Sequence, residues 1–201
     1  MNRLEAVLEA IDRVNAEDPV TEHDPDTGTQ QPRCQLYGRR MSQCLDRYQP
    51  NASEPLCIAV RGQHIQRWAI PRQDYPEGRQ GYHRWRRRLY DYHGEQLREL
   101  MSEQGYDEAS IQRVASLVRK ENLKSDPEAQ TLEDVVGQVF LQHYLGPFMA
   151  EKAEEYSQEK LHHIIRRTWG KMSADGQQAA LALALPDEVA ATVHAALAEQ
   201  A

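Results

Sequence analysis

The sequence predicts an all-α protein that folds as a single helical domain over residues 1–201. Three observations carry this. Apolar residues recur at three- and four-residue spacing in segment after segment. Caps and breakers separate those segments, and no run alternates with period two for long enough to make a convincing strand.

Leu4, Val7, Leu8, Ile11 and Val14 place an amphipathic helix over residues 2–15. Residues 17–33 then turn polar, with Asp18-Pro19, Asp24-Pro25 and Thr27-Gly28, and read as a long loop. Helical periodicity resumes from Gln35 to Tyr48 through Leu36, Met41, Cys44 and Leu45. Ser53 is placed to cap a helix running from Glu54 to Trp68, and Pro71 ends it. A turn-rich connector from Ile70 to Gly78 leads to a long helix from Gly81 to Gln104, stopped by Gly105. Asp107 caps a helix from Glu108 to Arg119, and residues 120–130 form a loop. Thr131 and Asp134 have the spacing of a capping box ahead of Leu132, Val135, Val136, Val139 and Phe140. Helices near 159–171 and 187–199 bring the expected number to about seven.

A composition of 27% charged and 40% apolar residues is that of a globular chain. The longest apolar run, Ala179 to Leu185, is far short of the roughly 20 residues that span a bilayer. The N-terminal segment carries acids within its apolar pattern, unlike a signal peptide. Cys34, Cys44 and Cys57 show no Cys-x-x-Cys spacing, which fits a reducing compartment without disulfides. A cytoplasmic protein is expected.

The net charge of −7 argues against general nucleic-acid binding. Yet Arg61 to Tyr92 holds eight arginines and three acids, so this segment is about +5 on a remainder of about −12. Such an island is either a solvated helix face or a site for a small anion, for which arginine offers a planar fork of donors. The candidates for anion binding are Arg61, Arg67, Arg72, Lys120 and Lys124, with Tyr37 and Trp68 as pocket aromatics.

His64, His93 and Asp134 lie on separate helices and are the residue types that bind first-row divalent metals with positions left open. The plain alternative is two hydrogen-bonded structural histidines and a capping aspartate. The other histidines lack such partners: His162 and His163, for instance, point about 100° apart on a helix. No Gly-rich phosphate loop, Gly-x-Ser-x-Gly elbow or His-Glu-x-x-His motif is present.

Several motifs together resemble one family. They are Arg61-Gly-Gln-His-Ile-Gln-Arg-Trp-Ala-Ile-Pro-Arg72, Tyr75-Pro76, Gly81-Tyr82, Trp85-Arg86, Gly105-Tyr106, Leu123-Lys-x-Asp-Pro-Glu128, Gln130-Thr-Leu-Glu-Asp134 and Lys171-Met-Ser173. The family is domain of unknown function 4202, whose members are also labelled glutamyl-tRNA synthetase-like. The chain carries neither the nucleotide-binding signature nor the α/β pattern which that label implies.

Ala59-Val-Arg-Gly-Gln-His-Ile-Gln66 resembles, more remotely, the helix bearing the His-Asp pair of HD-superfamily metal-dependent phosphohydrolases. Gln63 stands at the His of the pair, His64 at its Asp and Tyr37 near the first His; His93 and Asp134 resemble later ligands. This resemblance implies an HD-like helix arrangement. It also implies a divalent metal (Mn, Fe, Co, Ni or Zn) on His64, His93 and Asp134, with Gln63 and Glu133 as catalytic residues and Glu121 nearby. Two functions follow as expectations. One is a metal-dependent hydrolase of a phosphorylated, nucleotide-like small molecule. The other is a degenerate, non-catalytic module that binds an anionic ligand or a partner protein through Arg61–Arg72.

Overall fold

Asn2 opens the first helix, α1 (Arg3–Asn15), with a reciprocal cap: its side chain accepts from Glu5 N–H and the Glu5 carboxylate accepts from Asn2 N–H, both at 2.8 Å. The computed structural model describes residues 2–123 and 125–198. Over these the chain divides into two compact units, Met1–Ala129 and Gln130–Ala201.

In the first unit, the expected polar loop contains an antiparallel hairpin, β1 (Thr21–Asp24) and β2 (Thr29–Pro32), with Thr21 opposite Pro32 and Asp24 opposite Thr29. This corrects the reading of residues 17–33. Neither strand has alternating apolar residues, so periodicity gave no signal. Charge holds the hairpin instead: Arg40, only 4% exposed, pairs with Glu22 and with Asp24. Buried Asp18 accepts from Val20 N–H and Cys34 N–H, each at 2.9 Å, and so caps α2 (Arg33–Tyr48) from outside it.

Ser53 caps α3 (Glu54–Arg61) through Leu56 N–H. This helix stops seven residues short of the expected Trp68. Gly62 lies against Leu97, where an added Cβ would come within 2.5 Å, so the chain turns away there. A turn follows, and Gln66 takes a left-handed conformation at φ 46°. Asn15 and Tyr92 hold it: Gln66 N–H donates to the Asn15 side chain (3.0 Å), and Tyr92 O–H donates to Gln66 Oε1 (2.7 Å). Short 3-10 turns at Arg67–Ala69 and Arg72–Asp74 lead into α4 (Gly78–Glu103). Gly105 at φ 73° ends α4 as expected, and Asp107 caps α5 (Glu108–Val118) through Ser110 N–H. α4 and α3 both pack on α5, and α2 packs on α3. The core includes Ile11, Met41, Leu45, Ile58, Leu89, Leu97 and Leu117.

α6 (Pro127–Val139) begins four residues before the expected capping box. Asp126 is its cap, accepting from Glu128 and Ala129 N–H, and Pro127 occupies the first turn, where no N–H is needed. Thr131 and Asp134 therefore lie inside the helix. Arg113 binds both Asp126 and Glu128 and fixes this start.

The second unit continues through a π-helical turn (Phe140–Tyr144) into α7 (Leu145–Lys152), α8 (Gln158–Trp169), α9 (Ala174–Leu181) and α10 (Asp187–Ala198). Leu141, Leu145, Ile165, Met172, Val189 and Val193 form its core, and α10 packs on α8 and α7. The described residues thus hold ten α-helices and one hairpin rather than about seven helices. The uncounted α7 and α9 span eight residues each, too short for a clear apolar stripe. No described helix is long and apolar enough to cross a membrane.

Candidate functional site

The inward face of α4 repeats every fourth residue as Trp85, Leu89, His93 and Leu97, all buried. His93 is 1% exposed, and among the described residues neither ring nitrogen reaches a hydrogen-bond partner. The Ile65 backbone faces the ring and favours its protonated form, without meeting hydrogen-bond geometry. The turn after α3 brings His64 to a ring-centroid distance of 6.4 Å from His93. On its other side His64 stacks on Tyr37 of α2, with centroids 3.9 Å apart and planes 17° from parallel.

Arg67 follows on the same turn. Its guanidinium lies 4.7 Å from the centre of the Trp85 ring, and Trp85 Nε1–H donates to the Ile70 carbonyl at 2.9 Å. Arg67 is half-buried and, among the described residues, makes no ion pair. Burial works first to lower its pKa, Arg86 works the same way, and the leading opposing groups are Tyr37 and Cys34 rather than a carboxylate. Arg86 lies between the hydroxyls of Tyr82 and Tyr90, one helical turn away on either side.

Positive charge surrounds the two imidazoles. His64 keeps some accessible surface but is enclosed by protein. Burial first, then Arg67, His93, Lys120 and Arg86, hold its pKa well below 6.5. Burial and then Arg67 push His93 down to about 3. Both rings are therefore neutral at physiological pH. Between about pH 6.5 and 3 the unfolded chain takes up a proton at His93 that the folded chain refuses. Stability is full above that window and falls as the pH drops through it, by at most about 1.4 kcal/mol per pH unit for each histidine. Urea unfolding from pH 7.5 down to 4.5 is expected to show this loss, with a shallower slope in His93→Gln. Equal slopes in the two proteins would contradict it.

The other residues singled out by the sequence lie elsewhere. Arg61 pairs with Asp12 at 3.1 Å and lines a separate groove of about 410 Å³ with Leu4, Leu8, Arg39 and Asp46. Arg72 donates to the Tyr75 carbonyl at 2.8 Å. Trp68 is half-buried on its 3-10 turn, and Gln63 is buried with Oε1 unpartnered. Lys124 lies outside the described residues. Glu121 is exposed in the segment after α5. Glu133 and Asp134 belong to the second unit, where Glu133 faces Lys171 at 3.8 Å. Asp134 is 2% exposed and accepts from Ser173 N–H (2.7 Å), Ser173 O–H (2.6 Å) and the Gln130 amide (3.0 Å). It thereby fixes the residue that caps α9.

For a divalent cation the first unit's two imidazoles are a poor donor set. Arg67, Lys120 and Arg86 act on His64 with positive charge and would repel the ion. Among the described residues no group of three His, Cys, Asp or Glu side chains is arranged to hold a metal. The same charges suit an anion. Arg86 was not among the sequence candidates. The spacing Tyr82-x-x-x-Arg86-x-x-x-Tyr90, which stacks three side chains on one helical face, was the available signal.

The profile of a family described as domain of unknown function (DUF4202) matches residues 5–193. The chain belongs to the DUF4202 family. The match extends through both units. No curated protein and no solved structure matches the chain.

Proposed function

We propose that this protein is a binding module for a small oxyanion, phosphate or a phosphate ester, anchored on Arg67. The observation that carries the reading is a half-buried guanidinium with, among the described residues, no carboxylate partner, set beside two neutral imidazoles. Removing a charge from water without a counter-ion costs several kcal/mol, and stacking on Trp85 offsets only part of that. A bound oxyanion supplies the missing charge, and the planar fork of Arg67 matches two of its oxygens. His64 and His93, each with one N–H when neutral, can add donors. Tyr37 fixes the plane of the His64 ring. The reading follows the degenerate, non-catalytic alternative among HD-like proteins, and no bond-breaking step is assigned.

Calorimetric titration with inorganic phosphate tests it, alongside thermal unfolding. One anion is expected to bind per chain and to stabilise it by about 2.7 kcal/mol at a hundredfold excess over Kd. Arg67→Ala is expected to abolish both signals, whereas Arg167→Ala, an exposed arginine of α8, leaves them intact. Absence of binding by phosphate, sulfate and small carboxylates would overturn the proposal. So would stoichiometric metal in protein purified without chelator, if it were lost on His64→Ala.

A further inference from the structure

The exterior of α4 beside Arg86 carries more arginine than one small anion needs. At about 100° per residue, Arg79 falls roughly 20° from Arg86 around the helix, and Arg87 about 100° from it on the side of His83 and Tyr90. Arg79 and Arg87 are exposed and, among the described residues, neither makes an ion pair. The Arg79 Nε–H instead donates to neighbouring His83 at 3.4 Å. The lone acid of α4's first four turns, Asp91, follows Arg87 by one turn, but its charge is taken by Arg119 at 3.0 Å. Arg84 is also exposed and precedes Arg87 by about one turn, roughly 60° from it around the helix, so it borders the same face.

Resting on the anion-binding reading, we propose that the ligand is a polyanion, a small molecule with two or more linked phosphoryl groups. One group sits at Arg67 and Arg86, and the others extend along α4 to Arg79 and Arg87. Several observations favour such an elongated, compact ligand. Arg79 and Arg87 are eight residues apart, about 12 Å along the axis. The face between them is free of acid, and Arg86, held by the Tyr82 and Tyr90 hydroxyls, links it to the inner group. The exposed arginines are screened by salt, so their share of the binding is the salt-sensitive one.

Titrating the full chain with inorganic phosphate and with tripolyphosphate at 0.15 M salt tests this. Tripolyphosphate is expected to bind at least about tenfold more tightly than phosphate. The double variant Arg79→Gln/Arg87→Gln is expected to lose that gain while still binding phosphate, and Arg167→Gln, exposed on α8, to retain both. Equal affinity for the two anions in the wild type, with phosphate bound, would overturn the polyanion proposal alone. An equal loss in Arg167→Gln would also overturn it, by showing a general surface potential. A gain for single-stranded oligonucleotide with none for tripolyphosphate would overturn it in favour of a nucleic-acid partner. Binding of neither anion would remove the reading on which it rests.

Discussion

Gly81→Ala is expected to destabilise the protein by about 2–4 kcal/mol, in the upper range for a point substitution. In an ordinary helix this change gains about 1 kcal/mol, because alanine restricts the unfolded chain and fits the helical backbone. Here the added Cβ would lie 1.8 Å from the Pro76 carbonyl oxygen and 2.7 Å from its carbon. Both are backbone atoms, and no side chain can rotate aside. Either the first turn of α4 or the connector must move, and with it Trp85, whose indole is tied to Ile70. Gly94→Ala on the same helix is the internal control. Its Cβ would meet Ala115 at 3.6 Å, an ordinary contact, so the usual gain or no change is expected. Urea unfolding of the two variants decides. A Gly81→Ala protein as stable as Gly94→Ala would contradict the close approach of the connector to α4.

The second large effect is at Asp134. Its carboxylate accepts from Ser173 N–H, Ser173 O–H and the Gln130 amide while almost fully buried, so Asp134→Ala takes the acceptor from both Ser173 donors, whereas the Gln130 amide keeps the Lys171 carbonyl. A loss of about 2–4 kcal/mol is expected, since bonds to a charged acceptor are worth more than neutral ones and orphaned donors add a further cost. Ser173→Ala breaks the same clamp from the other side. The double variant is therefore expected to lose less than the two singles together, with a coupling of about 1–3 kcal/mol. The loss should be the same in chelator-treated and metal-supplemented buffer. Additive singles, or a loss seen only when metal is present, would contradict the clamp.

Asp134 also illustrates what the sequence left hidden. Thr131 and Asp134 have the spacing of a capping box, but the cap of α6 is Asp126, and the Asp126-Pro127-Glu128 run carries its own start signal. Asp134 stabilises a different helix, whose cap lies 39 residues later, and no local pattern reports that. Local signals succeeded where the partner was local: Ser53 on α3, Asp107 on α5, Gly105 after α4. They failed where tertiary contact decided. Gly62 ends α3 because Leu97 lies against it, and the hairpin forms because Arg40 collects Glu22 and Asp24.

The candidate site divides in the same way. His64, His93, Arg67, Tyr37 and Lys120 were all named from the sequence, and the last four each act on His64 or are in contact with it. Arg61 looked equivalent to Arg67, six residues on. Asp12, on a helix 49 residues earlier, claims Arg61, whereas Arg67 stacks on Trp85 and makes no ion pair among the described residues. An arginine's role depends on whether a carboxylate reaches it, and that is a property of the fold.

The most direct measurement locates the anion. Crystals soaked in tungstate, a heavy mimic of phosphate, are expected to show one dominant anomalous peak within hydrogen-bond reach of the Arg67 guanidinium and on the side of His64 and His93. That peak is expected to be lost in Arg67→Ala. A protein whose tungstate sits only against exposed arginines, with nothing at Arg67, would contradict the account.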